Sequence, residues 1–213
     1  GSAFWLRVVL RNAHPTQEAW QFGVRYPLLD EVDLHVLDAA GQVRQHHATG
    51  DRRAFGQRPV AHPDFYVNVP LREGETNTVY VRMRSQGSVQ ASLVVTTPMA
   101  RLEAARAEFG WIGLYGGALL AMLLYNLMLF LSLRDRSYLY YVGYLTAFGM
   151  AQMTLSGLTF QHLWPQHPDW GNNVLPVCVS IAGVLLSLFS RDFLSLKTHW
   201  RRADAVMQAV QWL

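Results

Sequence analysis

The chain is poor in cysteine and, over long stretches, empty of charge. Cys178 is the only cysteine in 213 residues. No intrachain disulfide can form, so any soluble part must be held by its own core. Nucleophile motifs, Walker loops and a dinucleotide glycine signature are all missing, which argues against an enzyme and implies no cofactor. The first hundred residues show no helical periodicity. No basic leader with a cleavage site precedes Ala3, and the last residues, Ala203–Leu213, read as the start of an apolar helix. The expectation is of a fragment open at both ends.

Charge is absent from Gly110–Leu133, Tyr138–Pro168 and Gly171–Ser190. A bilayer core of about 30 Å needs roughly 20 apolar residues at about 1.5 Å rise each. Spans are therefore expected near 110–133, 138–164 and 172–190, with a fourth beginning near 203–213, and the lipid bilayer is one partner. The overall charged fraction of 15% hides this division. Residues 1–109 carry 12 Arg against 11 Asp and Glu, too even a balance for a nucleic-acid surface. The net excess of +3 lies mostly with Arg191, Lys197, Arg201 and Arg202.

Basic residues also set an orientation. Arg134 and Arg136 sit in the first loop between spans, none sits in the second (165–173), and four follow the third. Short cytoplasmic loops collect Lys and Arg, so the second loop and the N-terminal part are expected outside.

What the first part does contain is period-two alternation. In Ala3–Asn12, Phe4, Leu6, Val8 and Leu10 alternate with Trp5, Arg7, Val9 and Arg11. Similar runs are Ala19–Arg25, Glu31–Leu37, Val43–His47, Phe65–Pro70, Asn77–Arg84 and Val89–Thr96. Turn-rich pieces such as Asp38-Ala39-Ala40-Gly41 and Arg72-Glu73-Gly74-Glu75 separate them. Seven short strands with regular turns predict an all-β antiparallel sandwich over residues 1–98. Met99–Phe109, rich in Ala, Glu and Arg, predicts a helical connector into the membrane region of 110–213.

Several residues invite a functional reading. Trp5, Arg7, Trp20, Arg25 and Tyr66 are the types that stack on sugars or fork onto carboxylates, and they are the candidate ligand-binding set; a core or edge role is the competing reading. His46 and His47 are adjacent, so a strand would point them to opposite faces, and neither they nor His62 make a metal set. Within the apolar runs, Gly113 and Gly117 form a small-xxx-small ridge, repeated at Gly143/Ala147 and Gly183/Ser187. Packing inside a helical bundle is the favoured role and a homodimer contact the alternative. Asn126 is expected to hydrogen-bond between helices.

These residues lead to a family resemblance. The chain resembles the bacterial seven-transmembrane receptors with diverse intracellular signalling modules. Phe4–Asn12 (FWLRVVLRN), Tyr26–Asp38 (YPLLDEVDLHVLD), Thr49–Asp51 (TGD) and Gly74–Ser88 are similar to their type 2 extracellular domain. Leu124–Gly149, Leu155–Pro165 and Phe189–Leu196 are similar to their seven-helix region. The resemblance implies a carbohydrate-binding-like jelly-roll sandwich in the periplasm and helices in the inner membrane. It also implies a cytoplasmic output such as a histidine kinase or diguanylate cyclase, of which this chain contains nothing. The function expected is sensing of an unknown small ligand, with carbohydrate one class. The rival is a membrane-anchored interaction module that binds a periplasmic protein or cell-wall glycan.

Overall fold

A computed structural model describes residues 3–17, 19–87 and 89–194. The chain forms two compact units. The first joins the N-terminal residues up to 107 with 154–172. The second joins 108–153 with the described residues from 173 to 194.

The first unit holds seven strands: β1 (Phe4–Arg11), β2 (Ala19–Arg25), β3 (Glu31–Leu37), β4 (Val43–Thr49), β5 (Phe65–Pro70), β6 (Thr76–Arg84) and β7 (Ser92–Thr96). They form a four-stranded sheet in the order β1-β6-β3-β4 and a three-stranded sheet in the order β5-β2-β7. All pairings are antiparallel.

Alternation explains which side of each strand is buried. In β3, Val32, Leu34 and Val36 are buried, while Glu31, Asp33 and His35 stay half-exposed between them. Leu34 pairs with Val81 of β6 on one side and His47 of β4 on the other. The register thus lines Val32, Leu34 and Val36 up with Met83, Val81 and Val79. Phe22, Val24, Val67 and Val69 complete one shared core from the other sheet. Each such side chain contributes roughly 1.5–3 kcal/mol by leaving water. β2 departs from alternation: Gln21, Phe22, Gly23 and Val24 are all buried. Its outer side is covered because the Tyr66 ring lies where a Cβ on Gly23 would stand.

Among the described residues four α-helices follow: α1 (Pro98–Leu133), α2 (Arg136–Leu155), α3 (Leu158–His162) and α4 (Pro168–Phe193). The helical connector and the first apolar run form one 36-residue helix, α1. Among the described residues two helices, α1 and α4, are long and apolar enough to cross a membrane. Their exposed Leu, Val, Met and Trp side chains are stable only where lipid or other helices replace water.

The uncharged run 138–164 is not a single helix. α2 stops at Leu155, and Gly157 turns the chain with φ 73°. The Gly157 N–H donates to the Thr154 carbonyl at 2.9 Å. The residues beyond belong to the sandwich unit, where Leu158, Thr159 and Phe160 are buried. Composition does not mark this break, because burial against protein and burial in lipid both select apolar side chains. The stretch 203–213 lies outside the described residues.

Candidate functional site

One end of the sandwich receives the loop between α2 and α4 (residues 156–167). Between β4 and β5 the chain makes a single 3-10 turn, Phe55–Gln57, followed by Arg58. Arg58 is buried, and its Nη1 donates to the carbonyls of His62 (2.9 Å) and Pro63. The guanidinium carbon lies 4.8 Å from the ring centre of Phe55, 4.5 Å from that of Phe65 and 5.5 Å from that of Phe160. Phe160 comes from α3, and its ring meets Phe55 edge-on at 5.9 Å. The Phe55 N–H donates to the Pro165 carbonyl at 2.9 Å. Gly157 closes the joint from the other side, since a Cβ there would stand 2.9 Å from Pro27 and 3.0 Å from Pro63. One buried cation therefore holds rings from three separate chain segments.

The surrounding charges are strongly perturbed. Burial pushes the Asp51 carboxyl up to about 6, helped by Asp30 and opposed by Arg52 and Arg58. Burial lowers Arg58 to about 10 against the pull of Asp51 and Asp64. His62 falls to about 4, first through burial and then through the cations Arg101, Arg25 and Arg58. Asp51 Oδ1 and Arg58 Nε are both buried without a hydrogen-bond partner among the described residues. Such atoms carry a desolvation penalty, so the joint specifies geometry at a cost in stability.

The same corner also receives the start of α1. Arg101 Nε donates to Gln21 Oε1 at 2.7 Å, and its guanidinium lies 5.6 Å from the Tyr66 ring centre. His62 meets Tyr66 edge-on at 5.1 Å. Arg25 Nε reaches Asp64 Oδ2 at 3.4 Å. Strand β5 and the loop before it thus touch two chain segments that continue into long helices.

The five candidate ligand residues are distributed over three places. Arg25 and Tyr66 both lie at this corner, through Asp64 and through His62 and Arg101. Trp5 and Arg7 lie on the outer face of the edge strand β1, where Trp5 is 57% exposed and its ring stacks near His35 at 6.2 Å. His46 stacks on His35 across the strands at 4.3 Å, while its neighbour His47 pairs opposite Leu34. Trp20 lines a cleft with Leu10, Arg11, His14, Leu71 and Val95. Phe55, Arg58 and Phe160 come together here although nothing in their sequence spacing links Phe160 to the others.

Among the helix-packing residues, Gly143 faces α4, where its Cβ would stand 2.9 Å from a Leu185 methyl. Tyr141 and Phe189 pack nearby at 5.1 Å. Gly113, Gly117 and Gly183 have no described atom within 4 Å of a Cβ position. Asn126 Nδ2 donates to the Met122 carbonyl of its own helix at 2.8 Å.

Comparison with protein-family models gives two matches. Residues 1–97 match the model described as 7TMR-DISM extracellular 2, and residues 108–213 match that described as 7TM diverse intracellular signalling. No curated protein and no solved structure matches the chain.

Proposed function

Because the chain belongs to the seven-transmembrane receptors with diverse intracellular signalling, we propose that it is their sensing and membrane-entry part, with the sandwich as ligand sensor. The observation that carries this reading is the shared corner. The first turns of α1 contact Tyr66 and Gln21, and the α2–α4 loop is gripped by Arg58. A ligand that shifts the sandwich between two arrangements would bias both segments at once. The shift can be no larger than the difference in ligand affinity for the two arrangements. The placement of basic residues supports a periplasmic sandwich on an inner-membrane helix bundle. The output belongs to a cytoplasmic module outside this chain, of kinase or cyclase type.

The test is hydrogen exchange on the full chain in nanodiscs while small sugars and carboxylates are titrated. A sensor changes exchange in the α2–α4 loop or the start of α1 when any of them binds the sandwich. Binding confined to the sandwich, with both segments unchanged, rejects coupling.

A second reading is favoured by β1, a sheet edge with Phe4, Trp5, Leu6 and Val9 all exposed. An apolar edge strand is a ready surface for another protein. Under that reading the helices anchor an interaction module, and one partner would co-purify with the chain in stoichiometric amounts.

A further inference from the structure

We propose that the cleft beside Trp20 is the ligand site of the sandwich, and that it takes a small carboxylate with an apolar body. This rests on the sensor reading and adds the place and the chemistry.

The cleft lies where the end of β1 and the turn after it approach β2 and β7, and it encloses about 340 Å³. That is within the range of small-molecule sites, roughly 300–1,000 Å³. Its walls are the Trp20 indole with Leu10, Leu71 and Val95, and its polar side chains are Arg11, Asn12 and His14.

The frame is fixed before any ligand arrives. Asn12 is buried, and its Nδ2 donates to the carbonyls of Gln17 (2.7 Å) and Leu71 (2.8 Å). Its Oδ1 accepts the His14 N–H at 2.9 Å. The indole is held as well, because Trp20 Nε1 donates to the Gln17 carbonyl at 3.1 Å. A wall already locked in place loses little entropy on binding.

Charge decides the ligand class. Arg11 is in no ion pair among the described residues, and no described carboxylate lines the cleft. Glu75, close by in the chain fold, is engaged by Arg44 at 2.7 Å and by the Arg72 N–H at 2.9 Å. Arg11 is thus the cation among the residues lining the cleft, and a guanidinium is suited to taking a carboxylate. An uncharged sugar fits less well. Its several hydroxyls need several partners, and both donors of the Asn12 amide are already used. Apolar walls with one cationic corner match an alkyl or aryl carboxylate, with its body on Trp20 and Leu71.

The experiment is calorimetric titration of the full chain in nanodiscs, against empty nanodiscs, with three probes. Phenylacetate has body and charge, 2-phenylethanol has the body alone, and glucuronate has charge on a polar ring. Saturable phenylacetate binding that weakens about tenfold in Arg11→Gln, with 2-phenylethanol bound more weakly and indifferent to that change, is the expected result. Arg11 is exposed, so its replacement spares the fold; Val95→Asp, on the exposed wall, should also repel phenylacetate. No saturation with phenylacetate, equal affinity in Arg11→Gln, or tighter binding of glucuronate overturns the proposal. Each of those results leaves the sensor reading to its own exchange experiment.

Discussion

The guanidinium carbon of Arg58 lies 5.5 Å from the ring centre of Phe160, although one residue belongs to the sandwich and the other to the loop between α2 and α4. The contact makes the loop part of the outward domain. Its strength is open to direct measurement.

Phe160→Ala should release the loop and leave the sandwich intact. Cation–π contacts are worth about 0.5–2 kcal/mol and the buried ring adds more, so exchange at the Phe55, Leu163 and Trp164 amides should speed up at least about tenfold. Amides of β3 and β6 should keep wild-type rates. Equal protection of the loop in the variant would show that the ring does not hold it.

Arg58→Met should be costlier, because it removes the donor to the His62 and Pro63 carbonyls and the cation whose charge favours the buried Asp51 carboxylate. Leaving a buried acceptor without its donor costs about 1–3 kcal/mol, and two carbonyls lose theirs here. The denaturant midpoint of the outward domain should fall accordingly. In an Arg58→Met, Asp51→Asn double variant about half of the loss should return.

Gly157→Ala tests the turn itself. A residue other than glycine at φ 73° costs roughly 1–2 kcal/mol, and here the new methyl also meets Pro27 and Pro63. Limited proteolysis should find a cleavage site in residues 156–167 that the wild type protects.

Two groups should oppose each other in the pH profile. Asp51 is raised to about 6 in the fold, so the stability it contributes is fully present below its unfolded value near 3.8 and is lost as pH rises through 6. His62 is lowered to about 4, so its contribution is present above 6.5 and is lost as pH falls toward 4. The two slopes largely cancel in the wild type. Asp51→Asn should leave a stability that rises between pH 4 and 6.5, and His62→Gln one that falls; each slope amounts to about 2 kcal/mol. Parallel profiles for all three proteins would show that neither group titrates as described.

Glycines in the helices should differ sharply. Gly143→Val meets Leu185 and should cost about 1–3 kcal/mol of overpacking, read as a lower melting temperature in nanodiscs. Gly113→Val meets no described atom and should leave the α2–α4 contact, monitored through Tyr141 and Phe189, unchanged.

The strands and the apolar helices are legible in the order of residues alone. Alternation in Glu31–Leu37 and Thr76–Arg84 is a local property, since neighbouring side chains on a strand must point to opposite faces. An uncharged run long enough for a bilayer is equally local. Those two signals mark a β domain followed by membrane helices, and the two family matches divide the chain at the same place. Tertiary structure alone decided that β6 sits between β1 and β3, and that Trp20 lines a cleft while Trp5 faces outward. It also decided that the apolar residues after Gly157 are buried against protein. Each of these depends on which distant surfaces meet. Phe55, Arg58, Phe65 and Phe160 become one joint only when the chain returns to the same corner, and hydrophobicity along the sequence carries no record of that meeting.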